Sequence, residues 1–111
     1  DGNGIGIDII DVERFRLFKK NKRHHFLKKI FSEREINYCF KFKDPTSHLA
    51  GIFAAKEATS KAFGTRKFHL LKLEICHEKD GVPWAWSKDK RLPVRISITH
   101  TDALAVAVAI L

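Results

Sequence analysis

The chain has no methionine, two cysteines, three prolines and six glycines among 111 residues. Cys39 and Cys76 lie far apart and form no CxxC pair, which excludes a zinc ribbon or a dithiol redox motif. They are expected to be reduced, partly buried thiols of an intracellular protein. No apolar run approaches the ~20 residues that a membrane span needs. The basic-then-apolar order of a secretion signal is missing as well. A cytoplasmic protein without a membrane partner is the expectation. The lack of even an initiator methionine is expected to mean that Asp1-Gly2-Asn3 follows a removed Met or is left over from cloning. No internal repeat, linker or low-complexity stretch divides the sequence, so a single domain over 1–111 is expected.

What is present is a core and an excess of positive charge. Hydrophobic residues make up 44% of the chain and nine are phenylalanine. A domain this short buries a smaller share of its surface than a larger one, so oligomerisation would help it. Lys and Arg number 21 against 13 Asp and Glu, a formal net charge of +8. That excess attracts polyanions: nucleic acid, anionic lipid, a phosphate-rich cofactor or an acidic protein. A nucleic-acid module is disfavoured, because no RRM, KH or helix-turn-helix pattern appears and the most distinctive residues are acidic.

Ile5 to Ile10 reads as a β-branched strand, apolar on both faces and interrupted by Asp8. From Asp11, a plausible N-cap, Val12, Phe15 and Phe18 recur at helical spacing. A basic run, Lys19 to Lys29, follows. Ser32-Glu33-Arg34-Glu35 has the capping-box form and opens a helix expected to end near Lys43. Thr46 or Ser47 can cap a long helix that Gly64 closes. On it, Leu49, Ile52, Phe53 and Phe63 share a stripe, as do Gly51, Ala55, Ala58 and Ala62. Ala50, Ala54, Glu57 and Lys61 share a third. Leu71 to Glu78 and Val82 to Trp86 flank a Lys79-Asp80-Gly81 turn and predict a hairpin. Val94 to Thr99 and the apolar run Ala103 to Leu111 complete the strands. The order predicts an α+β fold with a mainly antiparallel sheet packed on the long helix.

Three motifs invite chemistry, each beside a plainer reading. Asp8 in an apolar strand is either a carboxylate satisfied by nearby amides or a hard-metal ligand. Glu57 is either the i,i+4 ion-pair partner of Lys61 or a second such ligand. Together, two carboxylates and an ammonium in apolar settings suit Mg²⁺, which uses one or two carboxylates and completes its shell with phosphate and water. Ser97-Ile98-Thr99-His100-Thr101 is either a turn held by Thr and Asp side chains or a ligand contact. His24-His25 reads as solvated surface, and Trp84 and Trp86 as core or subunit contact. Gly2, Gly4 and Gly6 precede a strand instead of following one, which excludes the dinucleotide fingerprint.

GIGIDIIDVERF, IFAAKEATSKAFGT and SITHT, in this order and spacing, resemble the holo-acyl-carrier-protein synthases, the short phosphopantetheinyl transferases, over nearly the whole chain. That family moves 4′-phosphopantetheine from coenzyme A to a serine of acyl carrier protein, with Mg²⁺, and releases adenosine 3′,5′-bisphosphate. The carrier is thereby activated for fatty acid biosynthesis. The resemblance implies that Asp8 and Glu57 ligate the metal against the diphosphate. It implies that Lys61 neutralises phosphate charge or helps the serine lose its proton. Ser97, His100 and Thr101 would then lie at the adenosine end of coenzyme A, and Arg14, helped by Lys19 to Lys29, would meet the acidic carrier. It further implies a homotrimer with active sites between subunits. Three positions depart from the pattern. Ile52 replaces a frequent Arg, Val82 replaces the usual basic residue between Gly81 and Pro83, and Gly64-Thr65-Arg66 replaces GTG, with Arg66 or Lys67 as substitute cations.

Overall fold

The computed structural model describes residues 4–64 and 69–111. The expectations placed on Gly2, Thr65, Arg66 and Lys67 lie outside those residues. Strand β1 (Ile5–Asp11) pairs antiparallel with β6 (Leu104–Ile110), which pairs antiparallel with β5 (Arg95–His100), giving the order β1-β6-β5. A second antiparallel sheet joins β2 (Glu74–His77), β3 (Pro83–Ser87) and β4 (Lys90–Arg91) in sequence order. The α+β architecture is as expected, but its strands divide into two sheets. Pro93, which has no N–H for a ladder, stands between β4 and β5.

The period of two in the first sheet sorts its residues cleanly. Rows Gly6–Ala109–Ile96 and Asp8–Ala107–Ile98 share the face packed on the long helix α3 (Thr46–Ala62). The β6 alanines on that face, Ala105, Ala107 and Ala109, are fully buried, as are Ala54, Ala55 and Ala58 of α3. A Cβ built on Gly6 would overlap the Ala58 carbonyl oxygen, and one on Gly4 the Ala62 carbonyl oxygen. The glycines of GxGxG that the structure describes therefore serve strand-to-helix approach, against the small-residue stripe that the sequence displays.

The opposite face of this sheet is uncovered. Ile5, Ile7 and Ile9 are 69%, 60% and 59% exposed, and Leu104 and Ile110 are also exposed. The double-sided apolarity of β1, expected to mean cover on both sides, is thus met by the chain itself on one side only.

Several boundaries differ for identifiable reasons. Val12–Phe18 is a 3-10 helix, and Asp11 makes no side-chain cap bond. Its buried residues Val12, Phe15 and Phe18 recur every third residue, the repeat of a 3-10 helix. After α1 (His25–Lys28), α2 (Glu33–Cys39) opens with the expected capping box but ends well before Lys43. Beyond it the amides of Lys41 and Phe42 donate to the carbonyls of Tyr38 and Cys39 in tighter three-residue turns. Neither Thr46 nor Ser47 caps α3. Asp44 accepts from the Thr46 amide and hydroxyl, at 3.0 and 2.6 Å. Those bonds pull the Asp44 carboxyl down to about 2. Gly64, with φ +103°, follows the helix as expected. Both cysteines are free and buried.

Lys56 is the core feature that the sequence pattern conceals. It lies four residues after Ile52 and seven after Leu49, on the apolar stripe, and is 0% exposed. Its Nζ donates to Glu35 Oε1 at 2.6 Å and to the Ile30 carbonyl at 2.7 Å. Glu35 also accepts from the amides of Ser32 and Ile75. One carboxylate therefore closes the capping box of α2, pairs with α3 and binds the start of β2. Burial pushes the Glu35 carboxyl up and the Lys56 ammonium down, and each opposes the other's shift.

Candidate active site

Asp8 and Lys61, separated by most of the chain, meet where β1 crosses α3. Because Gly4 abuts Ala62 and Gly6 abuts Ala58, each two-residue step of β1 matches about one helical turn, bringing Asp8 level with the turn that contains Ala54 and Glu57. Lys61 Nζ donates to Asp8 Oδ1 at 3.2 Å and to the Ile7 carbonyl at 3.0 Å. Helical side chains lean toward the amino end, which carries Lys61 from its own turn to Asp8.

The two carboxylates are left with free capacity. Asp8 Oδ2 is buried and has no hydrogen-bond partner, so the amide-satisfied reading of this residue fails. Glu57, half-buried one turn before Lys61, makes no hydrogen bond or ion pair among the described residues. The simple Glu57–Lys61 pair is therefore not formed, since Lys61 turns to Asp8 instead. A buried carboxylate oxygen without a donor is costly unless a cation meets it. No cluster of three or more His, Cys, Asp or Glu side chains suited to a metal occurs among the described residues. The described residues thus form no all-protein cage, while the carboxylates of Asp8 and Glu57 fit a hard divalent cation whose shell is completed by phosphate and water.

The SITHT segment does not act as one unit within the chain. Ser97 and His100 are three residues apart in β5 and so stand on opposite faces of the sheet. Ser97 shares the uncovered face, in one row with Ile7 and Val108. His100, on the α3 side, borders a cavity of about 180 Å³ with Tyr38, His48, His77 and Ile98. Thr101 is exposed at the following turn, where its Oγ1 accepts from the amides of Ala103 and Leu104.

Arg14 is exposed on the 3-10 helix, its guanidinium 5.4 Å from the centre of the Phe53 ring. It borders a second hollow of about 380 Å³ with Leu17, Phe18, His25 and Phe26. Leu17 is largely exposed, which gives this basic region an apolar element. Within the neighbouring basic run, Lys19 is tied to Asp44 at 3.4 Å. His24 accepts from the Phe26 amide and its ring meets Phe18, so it is more than solvated surface. Trp84 and Trp86 meet edge to face on the second sheet, and Arg91 lies over Trp84. His48 and His77 are the cavity residues that sequence reasoning missed; they are remote from each other in sequence and belong to no local motif.

This constellation of β1, α3 and β5 coincides with a match of residues 4–109 to the family model of the 4′-phosphopantetheinyl transferase superfamily, and the chain belongs to that family. Within the superfamily, its similar relatives are holo-[acyl-carrier-protein] synthases. The one from Caldanaerobacter subterraneus subsp. tengcongensis is 40% identical over 96% of this chain and 91% of its own length. The crystal structure of a holo-(acyl-carrier-protein) synthase from Bacillus anthracis in complex with CoA (3′,5′-ADP) matches with a TM-score of 0.82 and 35% identity, covering 99% of this chain and 96% of the other. That of the Helicobacter pylori enzyme in complex with coenzyme A matches with a TM-score of 0.78 and 30% identity, covering 96% of this chain and 97% of the other.

Proposed function

We propose that this protein transfers 4′-phosphopantetheine from coenzyme A to a serine hydroxyl of acyl carrier protein and releases adenosine 3′,5′-bisphosphate. The observation that carries the reading is the Asp8–Lys61 contact, with the second Asp8 oxygen buried and unpartnered, and Glu57, one turn before Lys61 on α3, unpaired among the described residues. In the reaction the serine oxygen forms a bond to the phosphorus bearing pantetheine. The bond from that phosphorus to the oxygen of the leaving nucleotide breaks. Reactions of this kind rely on positioning and on compensation of phosphate charge.

Asp8 Oδ2 and Glu57 would hold Mg²⁺, which supplies charge stabilisation to the diphosphate. Lys61, fixed by Asp8 and the Ile7 carbonyl, offers a point charge to phosphate oxygens. The serine proton passes to a water oriented by one of the two carboxylates. His100 borders the cavity of about 180 Å³, which would take the nucleotide end of coenzyme A. Arg14 and the exposed Leu17 form a cationic and apolar surface suited to an acidic carrier helix, whose approach the basic run would accelerate. The same reading assigns the protein to the cytoplasm, where an exchange between soluble partners would run.

The uncovered sheet face supports assembly into a homotrimer. Contiguous exposed isoleucines on a small domain mark an interface, and Ser97 on that face would act at the boundary with a neighbouring subunit. An Ile7→Lys chain should sediment as a monomer; retention of a trimer would exclude this face. The reaction itself is tested by incubating apo carrier protein with coenzyme A, Mg²⁺ and the enzyme, then weighing the carrier by mass spectrometry. The expected product bears one phosphopantetheine. An unmodified carrier at stoichiometric enzyme sinks the proposal.

A further inference from the structure

The cavity beside His100 gathers three imidazoles in an otherwise uncharged lining. His48 from the first turn of α3, His77 from β2 and His100 from β5 border it, with Tyr38, Ile52 and Ile98. Among the described residues no Lys, Arg, Asp or Glu lines it. The His48 ring stacks on Phe42 with centroids 3.6 Å apart, and the His77 ring on Tyr38 at 3.8 Å. His48 and His100 meet edge to face at 5.5 Å. These contacts fix the rings through their faces and edges. None of the three imidazoles hydrogen-bonds another described residue, so among those residues their ring nitrogens are left for a ligand.

We infer that His48 and His77, with His100, form a phosphate-binding site for the nucleotide whose positive charge is supplied by histidine, so that binding takes up protons. This rests on the proposed use of coenzyme A and assigns the residues that grip its nucleotide end. The amino end of α3 adds a partial positive charge at the same place.

The electrostatic surroundings agree with the geometry. Burial lowers the His48 pKa, and a charge on His100 lowers it further, against a weaker opposing pull from Asp44. Burial lowers that of His77, with Lys41 and His48 acting in the same direction. Lys41 sits over the outer Tyr38 ring at 5.1 Å, and Glu78, Lys79 and Asp80 share a surface hollow with His77. Without ligand the two rings thus favour the neutral form near pH 7. A phosphate dianion reverses the preference, because it pairs with the protonated ring and relieves the mutual repulsion. Affinity is therefore greatest at low pH and is lost as pH rises through the raised pKa of the bound state.

Isothermal titration calorimetry with adenosine 3′,5′-bisphosphate tests this on the intact chain between about pH 7.5 and 8.5, where the ligand phosphates are almost entirely dianionic. One linked proton limits the change to about tenfold in affinity per pH unit. A weakening of roughly three- to tenfold per pH unit is expected, with proton uptake seen as a buffer-dependent heat. In His48→Gln/His77→Gln both effects should shrink at least by half, with the circular dichroism spectrum and thermal midpoint unchanged. Should the double exchange misfold, the single exchanges and the wild-type buffer dependence decide. A pH-independent affinity without proton uptake, or a slope preserved in folded variants, overturns the inference. No bisphosphate binding at any pH, together with an unmodified carrier, would instead refute the proposed function.

Discussion

Two lysines on one helix, five residues apart, face opposite fates. Lys56 is sealed in the core, and its partner Glu35 accepts three hydrogen bonds, so every polar group in that pair is accounted for. The Lys61 side chain is 45% exposed, and its partner Asp8, 15% exposed, has one oxygen buried with no donor. The first arrangement is closed, and such a pair holds elements in place. The second has capacity left over, and unused capacity at a buried carboxylate is where a cation and its phosphate ligands can enter. Position in the sequence does not separate the two; the state of the partner does.

The contrast is sharpest when each pair is broken. Lys56→Ala leaves Glu35 as an uncompensated buried charge and should cost about 3–5 kcal/mol of stability in urea unfolding. A cost under about 1 kcal/mol would erase the distinction. Asp8→Asn and Glu57→Gln should behave oppositely, unfolding like the wild-type chain but losing about 10²–10³-fold in transfer rate, as for removal of a group that stabilises transition-state charge. Wild-type turnover in both variants would remove the cation-site reading. The smallest effect belongs to Asp44, which serves the helix carrying both lysines. Asp44→Ala should cost about 1 kcal/mol near neutral pH. Its folded carboxyl lies at about 2, below the ordinary value of 3.8, so the contribution is complete above that value and fades as pH falls toward 2. The wild-type and variant stability curves should therefore converge in acid.

Much of this was legible in the chain. The β-branched run of β1, the small-residue stripe of α3, the Ser32–Glu35 box and the terminal strands each follow from local sequence pattern, and the structure contains them. Val12, Phe15 and Phe18 are visible too, but three positions do not separate a period of three from one of 3.6. Parity also separates Ser97 from His100, since an odd spacing in a strand sends side chains to opposite faces. Asp8, Glu57 and Lys61 could be singled out as charges in apolar settings. What the sequence could not reveal was pairing at long range: Lys56 lay on an apolar stripe, but only the fold shows Glu35 reaching it. His48 and His77 escaped for the same reason, because a cavity assembled from α2, α3, β2 and β5 leaves no contiguous signature.

The ladder between β1 and β6 has a further consequence during synthesis. Its shortest pairing, Asp11 with Leu104, still spans almost the entire chain. At translation rates of about 5–20 residues per second, the first strand therefore waits on the order of 10 s for its partner to leave the ribosome. Throughout that interval Ile5, Ile7 and Ile9 have an open edge beside them. The nascent polypeptide is thus most in need of a chaperone at its earliest-made segment, and ribosomes stalled ahead of Leu104 should display that segment to proteases that spare the finished protein.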